Sequence, residues 1–256
     1  MAPYPHPENG DTMQQVIVHE WQLDQAQALA LQAAFAPQVE RQDRLGPMRH
    51  VAGVDVAYDK HSDCMVAAAV VLDATTLAVV ETQIAHDVVQ FEYIPGLFSF
   101  RELPAIARAL AMLDTTPDLI VCDGQGIAHP RRFGLACHLG VLFDVPTIGC
   151  GKTLLTGHFD ALPKQRGAIA PLLDGDETIG AAVYTQDDTK PVYVSIGHRI
   201  SLATACNWIL RLSPHYRQPE TTRAADHAVK LALAARKADA EAASAAVPFA
   251  FTQGSP

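Results

Sequence analysis

The chain has 256 residues, of which 49% are hydrophobic, and its formal net charge at pH 7 is −9. This length and apolar content suffice for a domain with a buried core. The acidic balance argues against a surface that is basic throughout and grips nucleic acid indiscriminately. A local basic groove stays compatible with it, because metal-binding carboxylates add to the negative count.

The cysteines and the apolar runs bear on the compartment. The five cysteines show no CxxC or Cys/His spacing typical of zinc sites, and several fall within apolar runs, which favours buried, reduced thiols. The first residues, MAPYPHPENGD, lack the basic start and apolar core of a secretory signal. No apolar run reaches the roughly 18 residues of a membrane helix. We therefore expect a soluble cytoplasmic protein with no membrane partner.

The domain organisation predicted from the sequence is one domain between two tails. Residues 1–15 are polar and proline-bearing, and residues 238–256 are rich in alanine, so both are expected to be flexible. Residues 16–237 contain no internal repeat and no linker, which indicates a single domain. Its first element is a helix after Asp24, a typical N-cap, and Pro37 should kink or split this helix.

An antiparallel meander and a helix are predicted next. Three strands joined by short polar turns are expected at His50–Tyr58, Cys64–Leu72 and Leu77–Ala85. In the helix that follows, Ser99 and Glu102 have the spacing of a capping box. Pro104, however, lies five residues after Ser99, where its missing N–H would already break a helical bond. A helix start nearer Pro104 is the alternative, and it leaves Glu102 free to point elsewhere.

The stretch from Asp118 to Lys152 reads DLIVCDGQGIAHPRRFGLACHLGVLFDVPTIGCGK. Its pattern predicts a strand, a helix and a second strand, at Leu119–Cys122, about Phe133–Phe143, and Pro146–Cys150. Asp123 directly follows the first strand, and Lys152 follows the second. Two adjacent parallel strands would bring these side chains to one edge of a sheet, where open α/β sheets present their chemistry. The alternative is ordinary turn chemistry with Asp123 as a cap.

The remaining elements complete a recognisable order. Residues 157–175 are predicted to be irregular, and two strands follow at Thr178–Thr185 and Val192–Ile196. One helix should run from its cap Ser201 to Leu212, and a last helix should start near Thr222. Three antiparallel strands, a helix and then alternating strands and helices predict an α/β fold. It is a ribonuclease-H-like mixed sheet, three antiparallel strands followed by parallel strands, flanked by helices. The first and fourth strands are then neighbours, about 4.8 Å apart, so Asp55 and Asp123 could share a metal ion.

Four carboxylates from separate elements are the candidate ligands: Asp55, Glu102, Asp123 and Asp226. Carboxylates gathered at one edge would repel one another unless divalent cations held them. Oxygen ligands without cysteine indicate Mg²⁺, with Mn²⁺ as a substitute, and such a site suits phosphodiester hydrolysis. Lys152 would be the cationic partner of the phosphate or the nucleophile, and His129 a proton carrier or phosphate donor.

Each candidate has a plainer interpretation when it is taken singly. Asp226, near a helix start, could complement the helix dipole. Asp55 could be a satisfied structural acid, and His129 could be a loop histidine. Four carboxylates placed in a ribonuclease-H order make the combination of these interpretations the weaker hypothesis.

Five segments together resemble the endonuclease V family, the deoxyinosine 3′-endonucleases. In chain order they read VAGVDVAY, EYIPGLFSFRELP, LIVCDGQGIAHPRRFGLACHLG, PTIGCGKTLL and TTRAAD. The resemblance covers roughly residues 45–230, and DGQGIAHPRRFG with the downstream IGCGK is its most specific part. It implies a Mg²⁺-dependent enzyme that recognises a deaminated purine in DNA. The enzyme would cleave the second phosphodiester on the 3′ side and leave 3′-hydroxyl and 5′-phosphate ends.

The resemblance also implies residue roles. Asp55 and Asp123 match the family's metal aspartates and Glu102 its catalytic glutamate. Asp226 matches a fourth position occupied by Asp or His, and His129 and Lys152 match the active-site histidine and lysine. Contacts with DNA or the lesion are expected from Tyr93 (the family's wedge), Ile94, Pro95, Gly124, Gln125, Gly126, Arg131 and Arg132. Glu92 departs from the family, which usually has proline there, and this bears on DNA affinity and not on the reaction.

Three alternatives stay open at this point. The same fold could act mainly on inosine in RNA, since a 2′-hydroxyl can be sensed by one contact. A non-catalytic nucleic-acid binding protein would be expected to have lost a ligand, whereas the carboxylate set is complete. A junction nuclease of the same fold would not need the Tyr93 loop. The expected partner is DNA containing deoxyinosine, with inosine RNA as the alternative, and the protein is expected to be a monomer.

Overall fold

The computed structural model describes residues 13–245, with side chains described as far as Asp239. Within these residues the helices are α1 (Gln25–Phe35), α2 (Phe98–Ala111), α3 (Leu135–Phe143), α4 (Leu202–Leu212) and α5 (Glu220–Ala245). The strands are β1 (His50–Tyr58), β2 (Cys64–Asp73), β3 (Val79–Val88), β4 (Leu119–Cys122), β5 (Thr147–Gly151), β6 (Ile169–Asp174), β7 (Glu177–Val183) and β8 (Val192–His198).

The strands form one eight-stranded mixed sheet in the order β3-β2-β1-β4-β5-β8-β7-β6. β1, β2 and β3 are the antiparallel meander expected from their short turns. β1 then pairs parallel with β4, and β4 parallel with β5. The predicted ribonuclease-H-like fold is thereby confirmed, including the neighbouring first and fourth strands. β8, β7 and β6 extend the sheet in antiparallel fashion.

Helices cover both faces of the sheet at β2, and the interior positions of this strand are all apolar and buried. Val70 and Leu72 belong to the core cluster that includes α4 and α5, and Ala69 and Val71 belong to the cluster that includes α2. A strand buried on both faces gives such a continuous apolar run. At Gly53 an added Cβ would lie 2.0 Å from the carbonyl oxygen of Thr221. The start of α5 therefore packs directly on β1, the strand that carries Asp55.

Neither of the two predicted starts of α2 was right, but Glu102 is not used to cap the helix, as the alternative had allowed. The helix begins at Phe98, with Leu97 as an N-cap that makes no side-chain hydrogen bond. Burial of Leu97 and Phe100 beside Phe91 favours this earlier start, and the helix accommodates Pro104 in its interior. Ser99 caps nothing, and its Oγ lies 3.0 Å from Nδ1 of His138 instead.

Other boundaries follow local chemistry. Asp24 and Gln27 form a reciprocal capping box at α1, and Pro37 ends this helix in a 3₁₀ turn, Ala36–Gln38. Ser201 caps α4 as predicted. β3 begins after Leu77, because this residue has a positive φ of 59° in the turn.

The predicted irregular segment and the predicted C-terminal tail need correction. Residues 157–175 contain β6 and a bridge between His158 and Leu173. α5 continues to Ala245, past the expected tail start at 238, because alanine favours helix more than any other residue. Residues 1–12 and 246–256, which hold most of the two predicted tails, lie outside the described residues. Met13 is buried in the core.

Two further sequence expectations can be compared with the described residues. None of the helices within residues 13–245 combines the length and the apolar content needed to span a bilayer. All five cysteines carry free thiols, and Cys122, Cys137, Cys150 and Cys206 are buried. This arrangement agrees with the expectation of buried, reduced thiols.

A pair of histidines, the half-buried His19 and the buried His138, joins the N-terminal segment to α3 and α2. The ring of His138 is fully buried, and its Nε2 lies 3.0 Å from Nε2 of His19. The two rings are stacked with their centroids 5.1 Å apart. Burial lowers the pKa of His138 well below its ordinary value, and the neighbouring His19 adds to this shift. The folded protein therefore holds His138 neutral at pH values where an unfolded chain would protonate it.

This histidine predicts a loss of stability in mild acid. Above the ordinary pKa of about 6.5 both states are neutral at this position, so it adds no pH dependence. Below that pH the unfolded state binds one more proton than the folded state, so the free energy of unfolding falls as the pH falls. The contribution of His138 to this dependence approaches about 1.4 kcal/mol per pH unit. We expect His138→Gln to remove that contribution in denaturant titrations between about pH 7 and pH 5. His61→Gln, in an exposed turn, is the control. An unchanged slope in His138→Gln would contradict the assignment.

Candidate active site

Asp55 and Asp123 lie side by side because of the register between β1 and β4. Val54 on β1 pairs with Cys122 on β4 in this parallel ladder, and each of these two residues is followed by an aspartate. Oδ1 of Asp55 accepts a hydrogen bond from the backbone N–H of Val56 at 2.9 Å. Burial raises the pKa of Asp55 to about 6, and the charge of Asp123 adds to the effect. The two carboxylates are thus close enough to influence each other's charge.

Lys152 directly follows β5 and reaches the same edge of the sheet. Its Nζ forms an ion pair with Oδ2 of Asp123. Burial would lower the pKa of Lys152, but the hydrogen bond to Asp123 and the charges of Asp123, Asp55 and Asp226 outweigh it and raise that pKa. Lys152 is therefore held in its charged form and offsets part of the negative charge. The predicted meeting of Asp123 and Lys152 is present.

Glu102 approaches from α2, which packs on the face of the sheet opposite to α5. Glu102 is only 5% exposed, and its Oε1 accepts a hydrogen bond from the hydroxyl of Tyr58 at 2.8 Å. Burial raises the pKa of Glu102 to about 8 against the effect of the Tyr58 hydrogen bond, and the charges of Asp55 and Asp123 contribute to the rise. Glu102 thus shares the electrostatic environment of the two aspartates.

Tyr58 is a site residue that the sequence analysis did not identify. It ends β1, three residues after Asp55, and the guanidinium of Arg101 lies 4.9 Å from its ring centroid. Burial, together with the adjacent Glu102, raises the pKa of its phenol. The phenol thus stays protonated and donates to Glu102. A tyrosine at the end of a strand that carries an active-site aspartate is the signal that could have identified it.

Asp226 contributes from α5. Its charge raises the pKa values of Asp55 and Lys152, and its Oδ2 pairs with Nζ of Lys230 at 2.6 Å. Asp226 is the seventh residue of α5, whereas the helix dipole acts within about the first turn. The dipole interpretation therefore does not account for this position, and proximity to Asp55 does.

The four carboxylates have the chemistry of ligands for a hard divalent cation, but they do not surround one common point. Within the described part of the chain, no three His, Cys, Asp or Glu side chains are placed to hold a metal ion together. Lys152 and Lys230 pair with Asp123 and Asp226. Asp55 and Glu102 are close enough to Asp123 for its charge to raise their pKa values, in addition to the larger effect of burial. Oxygen ligands clustered in this way fit Mg²⁺ or Mn²⁺.

The contacts of His129 among the described residues are with Gly96, Arg131 and Arg132, and none is with a site carboxylate. Its ring is buried, and Nδ1 accepts from the backbone N–H of Arg131 at 3.2 Å. Burial lowers the pKa of His129 to about 4, with Arg131 and Arg132 adding to the shift and a hydrogen bond to the Gly96 backbone opposing it. The ring therefore lies against the loop that carries Tyr93. Its predicted part in proton transfer stays a prediction.

The two arginines after His129 make contacts within the protein. Arg131 donates to the carbonyl oxygen of Gly96 at 2.6 Å and to Oε1 of Gln32 at 2.5 Å. Arg132 donates to Glu177 at 2.6 Å and to Asp174 at 2.8 Å. Their guanidinium groups thus join the segment after β4 to α1 and to the β6–β7 hairpin. Their predicted contacts with DNA stay a prediction.

The loop of residues 91–96 presents Tyr93 to solvent. Tyr93 is 68% exposed, and its ring meets that of Phe98 edge-on at 6.4 Å. Ile94 packs on the apolar cluster beneath the loop, while Glu92 and Pro95 are exposed. An exposed aromatic ring on an anchored loop is available to a ligand, which is the property a wedge requires.

The DGQG turn is shaped by packing as well as by the site. A Cβ at Gly126 would lie 1.9 Å from the carbonyl oxygen of Ile196, and its N–H donates to Oγ of Ser195 at 2.8 Å. Gly126 is therefore required for contact with β8. Gly124 has more room, since an added Cβ would be 3.4 Å from Leu135. Gln125 donates to the carbonyl of Thr153, and its buried Oε1 accepts no hydrogen bond within the described residues.

The mixed sheet, with Asp55 on β1 beside Asp123 at the end of β4, is the arrangement found in nucleases of the ribonuclease-H-like fold. The family model for endonuclease V matches residues 33–227. The chain belongs to the endonuclease V family.

Individual relatives agree with this assignment. The endonuclease V of Roseiflexus castenholzii is 50% identical over 208 residues, which are 81% of this chain and 93% of that protein. The crystal structure of Streptomyces avermitilis endonuclease V has 48% identity and a TM-score of 0.81 over 89% of this chain and 100% of its own. A crystal structure of Ciona intestinalis endonuclease V, in complex with a 24mer DNA containing an inosine followed by a ribo-adenosine, has 26% identity. Its TM-score is 0.71 over 81% of this chain and 97% of its own.

Proposed function

We propose that this protein is a Mg²⁺-dependent DNA repair endonuclease that recognises deoxyinosine, with Mn²⁺ as a substitute metal. It hydrolyses the second phosphodiester 3′ to the lesion and leaves 3′-hydroxyl and 5′-phosphate ends. The observation that carries the proposal is the adjacency of Asp55 on β1, Asp123 after β4 and Lys152 after β5, three neighbouring parallel strands. The family membership and the inosine-containing complex of the Ciona relative support the choice of substrate.

The site residues divide the chemistry among them. Asp55 and Asp123 would hold the metal ion, with Glu102 and Asp226 contributing from the flanking helices. When bound, the ion supplies an activated water and stabilises the charge that develops on the phosphate and the leaving oxygen. Tyr58 orients Glu102 through its hydroxyl. Lys152 keeps a positive charge at Asp123 and can attract the phosphate.

Lesion recognition would begin with the exposed ring of Tyr93. A wedge that enters the base stack unpairs the step at a cost of a few kcal/mol, and a damaged, weakly paired base costs least to expose. Gly124 and Gly126 carry no side chains, so the main chain of the turn can come close to an exposed base. The base would thus be read by the DGQG turn that also carries Asp123.

Incubation with a duplex that holds one deoxyinosine, in the presence of Mg²⁺, tests the proposal. Products are mapped at nucleotide resolution beside a matched deoxyadenosine duplex and an inosine RNA of the same sequence. The proposal expects one cut, at the second phosphodiester 3′ to deoxyinosine, and an uncut control duplex. Cutting at every position, or none with Mg²⁺ or Mn²⁺, would refute it. Faster cleavage of the RNA would favour the alternative, an endoribonuclease acting on inosine RNA.

Replacement of Tyr93 tests the wedge. Tyr93→Ala should lose stacking worth about 1–3 kcal/mol per base, which is roughly a five- to hundredfold weaker affinity for the inosine duplex. The penalty should be smaller on single-stranded DNA, where no partner strand must be parted. Tyr93→Phe retains the ring and should bind close to wild type. Equal losses on both substrates, together with a lowered melting temperature, would instead assign Tyr93 to the packing of the domain.

A further inference from the structure

The Tyr93 loop is fixed to the protein at both ends by hydrogen bonds to its main-chain carbonyls. At the first end, Arg101 donates to the carbonyl oxygen of Phe91 at 2.8 Å. At the second end, the carbonyl oxygen of Gly96 accepts from Nε2 of Gln32 at 2.9 Å and from Nη2 of Arg131 at 2.6 Å. The second end is therefore held by two side chains that are distant from it in sequence.

Gly96 has a conformation that makes this anchoring possible. Its φ is +80°, and an added Cβ would lie 2.5 Å from Nη2 of Arg131. Only glycine adopts such a backbone conformation readily. The positive φ turns the carbonyl of Gly96 toward the two donors, and the N–H of Leu97 closes the turn on the carbonyl of Ile94 at 2.9 Å. The position of the loop thus depends on where the donors stand.

Gln32 is the more unusual of the two donors, because it is a carboxamide buried to 1% exposure on α1. Its Nε2 donates to the carbonyl oxygens of Gly96 and, at 3.1 Å, of Phe133. Its Oε1 accepts from Nε of Arg131 at 2.5 Å. Both kinds of polar group on the carboxamide are used. An apolar side chain of similar size would fill the space and make none of these bonds.

The contacts of Gln32 connect the loop to the active site itself. Phe133 lies between Arg131 and Gly134 along the chain, and the N–H of Gly134 donates to the carbonyl of Gly126 at 3.0 Å. The same carboxamide therefore binds the end of the Tyr93 loop and the segment that is bonded to the DGQG turn. Gln32 precedes by one residue the segment matched by the family model.

We propose that Gln32 is a positioning residue for lesion recognition. It fixes the Tyr93 loop relative to the DGQG turn, so that the wedge and the base-reading turn engage the same lesion. The inference rests on the proposed function and deepens it. Gln32 touches neither the carboxylates nor Tyr93 among the described residues, so its effect passes through the carbonyl of Gly96 and through Arg131.

The first test measures loop mobility without DNA. Gln32→Met keeps the volume and removes the hydrogen bonds, and Gln32→Glu keeps the acceptor for Arg131 and removes the donors. Gln38→Met, on the exposed 3₁₀ turn after α1, is the matched control. Both Gln32 variants should speed amide hydrogen exchange in residues 93–97 and leave α4 and β2 unchanged, whereas the control should change neither. Unchanged exchange in residues 93–97, or an equal increase throughout the fold, would overturn the proposal.

The second test is a double-mutant cycle with Tyr93→Ala, measured as affinity for the deoxyinosine duplex. Loss of these hydrogen bonds should weaken binding about three- to tenfold in the wild-type background. The effect should nearly vanish when Tyr93 is already alanine, because coupled residues do not act additively. The single-turnover rate at saturating enzyme should stay near that of the wild type. An equal loss in both backgrounds would overturn the positioning role.

The two tests separate this inference from the proposed function. A wild-type protein that ignores deoxyinosine refutes the function, whatever Gln32 does. A wild-type protein that cleaves beside deoxyinosine, with additive effects in the cycle or unchanged exchange in residues 93–97, refutes the role of Gln32 alone.

Discussion

Asp123→Asn should abolish cleavage of a deoxyinosine duplex while leaving its binding within a few-fold of wild type. The neutral amide is nearly isosteric with the carboxylate, so the fold at the end of β4 should persist. It would remove one of the two adjacent charges that can hold a divalent cation. The metal contributes several kcal/mol of transition-state stabilisation, so the single-turnover rate should fall by about a thousandfold or more.

A matched variant shows whether the effect belongs to the site. Asp114→Asn makes the same chemical change on an exposed residue that precedes β4, whereas Asp123 directly follows this strand. Its cleavage rate should equal that of the wild type. If Asp123→Asn retained cleavage within about tenfold of wild type at saturating Mg²⁺, Asp123 would not be a required metal ligand.

The fold was predictable where the sequence pattern and the packing agree. β1 has the bounds expected from its apolar run, and α4 has the expected N-cap at Ser201. The placement of Asp123 beside Asp55 followed from the strand order alone, since it needs only two parallel neighbours in register. Lys152 followed in the same way from the next strand.

The side chains that make long-range contacts could not be placed from the sequence. Arg131 bonds to Gln32, which is 99 residues away, and Arg132 to Glu177, which is 45 residues away. The local pattern describes both arginines only as a basic segment before a helix and does not reveal their partners within the protein. Their partners are set by how α1 and the β6–β7 hairpin pack, and no local signal in the sequence reports that packing.

The state of the carboxylates was also beyond the sequence. Four acids were expected to converge, but their partners depend on atoms from other elements. Tyr58 donates to Glu102, and the lysines pair with Asp123 and Asp226. The described residues therefore show Asp123 and Asp226 paired with lysines, Glu102 bonded to a phenol, and Asp55 with a pKa raised by burial and by the charge of Asp123. The metal site remains a proposal that the convergence of these acids supports.

Lys152→Ala should slow the chemical step far more than it weakens binding. Its ammonium contacts Asp123 at the point where the scissile phosphate is expected, and its pKa is raised, so it is charged at neutral pH. A preorganised donor of this kind is worth about 10²- to 10³-fold in rate. Duplex affinity should change by less than about tenfold, because one cation is only one of several contacts to the DNA backbone.

Lys230 provides the matched control for this prediction, since it also pairs with a site carboxylate. Its side chain is 68% exposed, against 41% for Lys152, and it holds Asp226 from the next turn of the same helix. An exposed pair of this kind contributes little, so Lys230→Ala should cleave within about twofold of wild type. Single-turnover rates at saturating enzyme, with Kd measured separately, distinguish the two steps. A loss in Lys152→Ala that is confined to Kd, with an unchanged single-turnover rate, would remove Lys152 from the catalytic machinery and make it a DNA-binding residue.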